Sequence, residues 1–334
     1  LIDTTQRNLG AALRYQRRVG DHDLLAGLNH GRTSVKGGNY SYVPGGAQTL
    51  STAVDNNANN TELFVMDRWK FAPQWTVVYG AQAVSGQREV RNTDVATGAL
   101  RNPKARFDSL NPRAGVVRDL SPTTQLFANV SRLYEAPTLY ELDDDVRGNN
   151  ATLDAMRGTV LEVGTRGIHR FDRHRMQWDA AVYYGHLNGE ILSRDDPNAP
   201  GTSLSTNVGR TVHAGVEAVV GASLALGDQG MHRLEPLVSL TLNHFAFKND
   251  TTYGNNRLPA APRYAIKGEL MYRHASGLFF GPTFDLVGRR FADFSNTYSI
   301  SSHALWGLRA GYTTPRWEVY AELRNAGDRK HVSY

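Results

Sequence analysis

The chain has 334 residues, 40% of them hydrophobic and 21% charged, with a net charge of +5 and a mean hydropathy of −0.44. No run of about 18 apolar residues occurs, which excludes a membrane-spanning helix. The absence of cysteine excludes disulfides, thiolate metal sites and cysteine nucleophiles, and interspersed charges leave no basic stripe for nucleic acid.

The chain opens on LIDTTQRNLG, without an initiator Met, a basic segment or an apolar signal core, and so reads as a processed protein or an internal fragment. Helix signals are nearly absent, whereas apolar and polar residues alternate throughout. A first strand is expected over residues 6–17, followed after VGDHD by a second, and then by a long glycine-rich link over residues 33–60. A second long link covers residues 88–106. The strand that ends in NVSRLYE breaks on Ala136-Pro137 into an acidic third link, residues 135–157.

Further on, Trp178, Ala180, Val182 and Tyr184 oppose Gln177, Asp179 and Tyr183; the links over residues 193–205 and 249–258 follow. Ile266, Leu270 and Tyr272 oppose Lys267, Glu269 and Arg273, and Leu278, Phe280, Phe284 and Leu286 oppose Thr283, Asp285 and Arg289. After a last long link over residues 291–301, Trp317, Val319, Ala321 and Leu323 oppose Glu318, Tyr320, Glu322 and Arg324 in a final strand expected over residues 317–332.

Every second connection is short: VGDHD, APQ, DLSPTT, HRFDRH, LGDQG, ASG and TTPR. Strands of about ten or more residues, full charges on one face and this alternation of link lengths describe an up-and-down membrane barrel with tight periplasmic turns and extended outer loops. The expected fold class is therefore all-β, a transmembrane antiparallel β-barrel with about fourteen strands, in a single domain over residues 1–334. Low bulk hydropathy agrees, because only alternate residues face lipid.

Four segments carry a family resemblance. SRLYEAPTLYEL (residues 131–142) resembles the Ser-Arg-x-Phe-x-Ala-Pro-x-Leu-x-Glu-Leu stretch of TonB-dependent outer-membrane receptors, with Tyr134 in place of Phe. LEVGTRG (161–167), TNVGRTVHAGVEA (206–218) and RNAGDRKHVSY (324–334) resemble the family's later strand segments in order and spacing; the last departs at Ala326, Gly327 and His331. The resemblance implies part of a barrel of about 22 strands, lacking the N-terminal plug, the first strands and the last strand. It further implies residence in the bacterial outer membrane and energised import of a scarce ligand, foremost a ferric siderophore or other metal chelate. The implied partners are outer-membrane lipid and lipopolysaccharide, and the TonB complex through the missing N-terminal region. No covalent cofactor and no nucleic acid are expected. A passive porin is the alternative, and an enzyme is not expected: no HExxH, P-loop or nucleophile-elbow pattern occurs, and Ser131 and Ser239 lack a His partner by strand counting.

Candidate ligand-binding residues lie in the long links. Tyr40 and Tyr42 sit on the glycine-rich first link. Arg88, Arg91 and Arg101, with Lys104 and Arg106, make the second link cationic and suited to an anionic chelate. Tyr253, Arg289, Arg290, Phe291, Phe294 and Tyr298 are expected further round the mouth. The acidic third link, with Glu141, Asp143, Asp144, Asp145 and Asp154, reads as a solvated loop, with a calcium or lipopolysaccharide-associated cation as the alternative. His30, His186, His213 and His244 have no metal-cage spacing.

Overall fold

The computed structural model describes residues 1–332 except 43, 149, 197, 199, 200 and 228. Among the described residues sixteen strands form one sheet: fourteen antiparallel strands follow chain order along its main path, and two short ones, Asn92–Asp94 and Leu100–Arg101, pair beside it. The fourteen are β1 (Ile2–Val19), β2 (His22–Ser41), β3 (Thr49–Ala72), β4 (Trp75–Glu89), β5 (Lys104–Ser121), β6 (Thr124–Glu135) and β7 (Met156–Phe171). They continue as β8 (His174–Asn188), β9 (Arg210–Leu226), β10 (His232–Phe247), β11 (Tyr264–His274), β12 (Leu278–Val287), β13 (His303–Thr313) and β14 (Glu318–Leu323). The sheet path ends at β1 and β14.

The turns follow local chemistry. Val19 pairs with His22 and Phe171 with His174, so each hairpin is closed by two residues. The left-handed position falls on Gly20 (φ +57°) in one and on Asp172 (φ +53°) in the other, residues that accept it at low cost.

The alternation expected from the sequence sets the two faces. On the outer face Trp69, Val77, Val116, Ala128, Val163, Val182, Val216, Leu242 and Tyr264 follow one another as direct cross-strand partners from β3 to β11. Trp69 lies near the short-turn end of its strand, and Tyr264 opens its own at the long-loop end. A row of partners that climbs the full wall in this way is the stagger that tilts strands in a barrel. Val163 and Val182 are more than half exposed, as lipid-facing residues must be in a chain without its bilayer.

The opposite face is polar and ion-paired. Arg309 bridges Glu269 (3.0 Å) and Glu322 (3.3 Å), Arg273 holds Glu235 (2.7 Å), and Lys267 approaches Asp285 (3.4 Å). Such pairs in a wet lumen each contribute about 0–1 kcal/mol; their consequence is a charged inner wall.

The structure corrects several boundaries. Residues 33–60 are mostly strand: β2 and β3 run 20 and 24 residues and pair from His22–Trp69 up to Ser41–Thr49, leaving only residues 42–48 as a tip. Lys36 pairs with Asp55 across this extension. Backbone pairing carries it beyond the apolar band, and Val35, Val54 and Ala58 supply its apolar contacts. Arg88, Lys104 and Arg106 lie on β4 and β5 and not in a loop. The final strand stops at Leu323, because Asn325 Oδ1 accepts from the Arg329 amide and Asn325 and Asp328 take positive φ. The fourth long link holds a short hairpin, Ile191–Asp195 with Ser203–Asn207. Ser333 and Tyr334 of the terminal resembling segment lie outside the described residues.

The two faces make a direct test. Val163→Lys, mid-strand and lipid-facing, is expected to lower stability by about 2–4 kcal/mol, whereas Glu162→Gln on the lumen face costs less than about 1 kcal/mol. Guanidinium-driven unfolding from phospholipid vesicles measures both.

Candidate functional site

Among the described residues, buried apolar side chains cluster at the long-loop end of the sheet: Val35, Val90, Phe107, Leu139, Leu142 and Leu153 in one group, and Val208, Phe247, Leu258 and Phe294 in the other; Met271 and Phe279 are buried nearer the short turns. Both groups arise because loop residues fold back onto the top of the wall.

The first cluster is organised by the segment after Ala136-Pro137. Thr138 caps a short helix, α1 (Leu139–Asp143): its Oγ1 accepts from the Glu141 amide and Glu141 Oε2 accepts from the Thr138 amide, a reciprocal capping box. Leu139 and Leu142 are buried against Val35 and Phe107 of the inner wall. The buried guanidinium of Arg88 holds the segment from below. Its Nε donates to the Pro137 carbonyl (3.1 Å), and its Nη1 reaches the Asn59 carbonyl (2.9 Å) and Asn60 Oδ1 (3.0 Å). Proline offers its carbonyl but no amide, so Pro137 ends the β6 ladder and becomes the acceptor for this anchor.

The remaining long loops are tied to this one. Arg101 donates to the Leu142 carbonyl (3.1 Å) and pairs with Asp143 (3.2 Å), and Asn92 donates to Asp143 (2.7 Å). Ser205 donates its amide to the Asp144 carbonyl, and Asn207 donates to the Asp154 carbonyl. In the second cluster Tyr253 stacks on Phe247 and meets Phe294 edge-on, and Asn256 donates to the Phe294 carbonyl. The second to fourth links form one hydrogen-bonded layer. The fifth and sixth form another, in apolar contact with the fourth through Val208 and Leu192.

This revises the acidic link. Asp143 is paired with Arg101 and Asn92, and Asp145 is buried with Arg147 Nη2 at 2.7 Å. Burial raises the Asp143 carboxyl above the usual carboxylate range, and burial together with the Asp143 charge raises Asp144. Burial acts the same way on Asp145, but hydrogen bonds and charge from Arg147 outweigh it and hold its carboxyl low. Among the described residues no three His, Asp or Glu side chains converge as a metal cage.

The ten candidate residues divide by environment. Arg88, Arg101 and Tyr253 spend their side chains on loop packing, and the largely buried Arg290 donates to the Val332 carbonyl (2.8 Å). Tyr40 lies at the top of β2, its backbone paired with Leu1. Arg91 is exposed and takes part in the loop network through its backbone. Arg289 is exposed with its guanidinium over the Phe291 ring (5.4 Å), and Tyr42 and Tyr298 are 65% and 72% exposed. The structure does not bring the ten into one pocket.

Two cavities open beside the loop layer. One of about 600 Å³ lies between the inner wall and α1, lined by Gln6, Asn8, Thr33, Asn60, Arg88 and Tyr140. The other, about 570 Å³, lies between the second and third links, lined by Asn39, Asn92, Asp94, Arg101, Asp143 and Asn150. Asn92 and Tyr140 carry no sequence signal, and the resemblance of the Asn207 segment does not reveal its bond to the Asp154 carbonyl, 53 residues away. Removal of the Arg88 side chain by Arg88→Ala is expected to speed amide hydrogen exchange over residues 138–143 by about tenfold or more, as befits loss of charge-assisted hydrogen bonds. Arg91→Ala leaves that segment unchanged.

A family model described as TonB dependent receptor-like, beta-barrel matches residues 2–326. Among solved structures, the copper transporter OprC superposes with a TM-score of 0.78 at 18% identity, over 98% of this chain and 51% of its own. The siderophore receptor PiuA from Acinetobacter baumannii gives 0.77 at 15%, over 98% and 52%. The ferric yersiniabactin uptake receptor FyuA from Yersinia pestis gives 0.73 at 17%, over 98% and 49%. Identities this low speak for the fold, and the chain spans about half the length of these proteins. With the family model covering nearly every strand and its loops, the chain belongs to the TonB-dependent receptor β-barrel family of the bacterial outer membrane.

Proposed function

We propose that this barrel wall belongs to a receptor that captures a metal chelate, foremost a ferric siderophore, at its outer loops for energised, TonB-dependent import. The observation that carries this reading is the loop layer folded onto the inner wall through Arg88 and Pro137, with cavities beneath and beside it. Such a layer offers a concave, partly roofed surface over a charged lumen, the setting in which a polar ligand is held before passage. Exposed Arg91, Arg289, Tyr42 and Tyr298 supply cations and aromatic rings around it, a combination suited to an anionic chelate with a flat organic shell. The family match and the names of the solved relatives, a ferric yersiniabactin uptake receptor and a copper transporter among them, point the same way.

The mechanism this implies is division of labour. Arg88 and Arg101 shape the surface, and the exposed cations meet the ligand. Force from a TonB complex would act on a plug inside the barrel, and the wall would remain a fixed frame. Lipid and lipopolysaccharide would surround the apolar outer face.

The test uses the full-length protein. With ferric citrate and ferric catecholates as probes, the double variant Arg91→Ala/Arg289→Ala is expected to bind the preferred anionic chelate about five- to tenfold more weakly. Equal affinity removes the cationic-rim reading. Large, steadily open conductance of the intact protein in planar bilayers overturns the receptor reading in favour of a passive channel.

A further inference from the structure

The outer face of β2–β5, at the short-turn end, carries a polar site amid apolar wall. His22, the first residue of β2, stacks on Trp69 of β3 with ring centroids 5.5 Å apart and planes 5° from parallel. Its Nδ1 lies 2.6 Å from Asp67 Oδ2, and the Tyr79 hydroxyl of β4 donates to the same oxygen (2.8 Å). Asp67 shares the outward face with exposed Val65 and Trp69, yet is only 5% exposed itself. A buried carboxylate on a lipid-facing surface is costly without partners, and these two fix it in place.

The consequence falls on His22. With Nδ1 committed to Asp67 and the ring stacked on Trp69, the half-exposed imidazole is held in plane and orientation. From there a chain of rings continues along the rim. Trp69 contacts Phe71 (5.7 Å), Phe71 approaches Trp75 (6.5 Å), and the exposed Arg118 guanidinium lies 5.1 Å over Trp75, its direct cross-strand partner. One imidazole and one guanidinium therefore bracket three aromatic rings, all at the level where the apolar band gives way to the periplasmic turns.

We propose that His22, Trp69, Phe71, Trp75 and Arg118 form a seat for the phosphate headgroups of phospholipid in the periplasmic leaflet. Phosphate matches the Arg118 end by charge and by hydrogen-bond donation, because the guanidinium offers a planar fork of donors. His22, with Nδ1 held by Asp67, places a second polar side chain at the opposite end of the row of rings. The rings pack against glycerol and the first methylenes, as amphipathic aromatics do at a membrane interface. Leu24 and Val65 continue the wall above for the acyl chains; both are exposed on the same face. Continuity with this apolar wall selects a lipid over free phosphate as occupant.

The experiment is native mass spectrometry of the full-length protein, released from detergent and supplied with phosphatidylglycerol. The wild type is expected to retain phospholipid, and His22→Ala/Arg118→Ala to lower the retained fraction about tenfold, the effect of losing charge-assisted bonds. Arg316→Ala, a basic change at another periplasmic turn, should leave retention intact. Heat-modifiable gel mobility confirms folding of each variant, and His22→Gln/Arg118→Ala, which supplies an amide N–H donor in place of the imidazole, should retain more lipid than the double alanine variant. Equal retention by the wild type and the double variant overturns the proposal. Displacement of the lipid from the wild type by millimolar inorganic phosphate overturns the assignment to lipid and makes the seat one for free phosphate.

Discussion

The hydrocarbon layer offers no hydrogen bond to a peptide group, and the rest of this structure follows from that constraint. Each backbone N–H and C=O in the membrane must find its partner on a neighbouring strand, or several kcal/mol are lost per group. Strand order equal to chain order satisfies it with the shortest connections. Stagger between partners then curls the sheet, and alternation of side chains places Val163 and Val182 toward lipid and Glu269, Arg309 and Glu322 toward the lumen. The exposed β1 and the terminal β14 are the ends of this pairing path within the chain.

Above the membrane the constraint changes from backbone pairing to burial. The loops stand over an inner face that is charged and ion-paired, with Glu269, Arg309 and Glu322 among its residues. They build small cores of their own against the top of the wall, one around Leu142 and one around Phe247. Polar side chains then join loop to loop. Arg88, Arg101, Asn92 and Asn207 make these joins with their side chains.

The fold was legible in the sequence to the extent that it depends on local pattern. Period-two alternation in WEVYAELR or AIKGELMYR marks a strand with one apolar face, and two-residue turns at Gly20 and Asp172 follow from backbone preference alone. The upper halves of β2 and β3 were not legible, because apart from Val35, Val54 and Ala58, which pack under the loop layer, they are mostly polar or glycine and show no sustained hydrophobic alternation. The functions of Arg88 and Asp143 were hidden for a different reason. Their partners, Pro137 and Asn92, lie 49 and 51 residues away, and no spacing rule connects them. The pairing of Asp67 with His22 and Tyr79 spans three strands and is equally silent in the linear text.

The weaving of the outer loops also bears on how such a receptor diversifies. A loop standing alone can be exchanged between homologues by recombination, carrying its specificity with it. Here the second link presents Arg101 to a carbonyl of the third, and the third presents the Asp144 carbonyl to Ser205 of the fourth. A single transplanted loop would arrive without its complementary neighbours and leave their polar groups unmatched. The second, third and fourth links are therefore coupled in sequence: a change at Arg101, Asp144 or Ser205 in one of them alters the contact made by its neighbour.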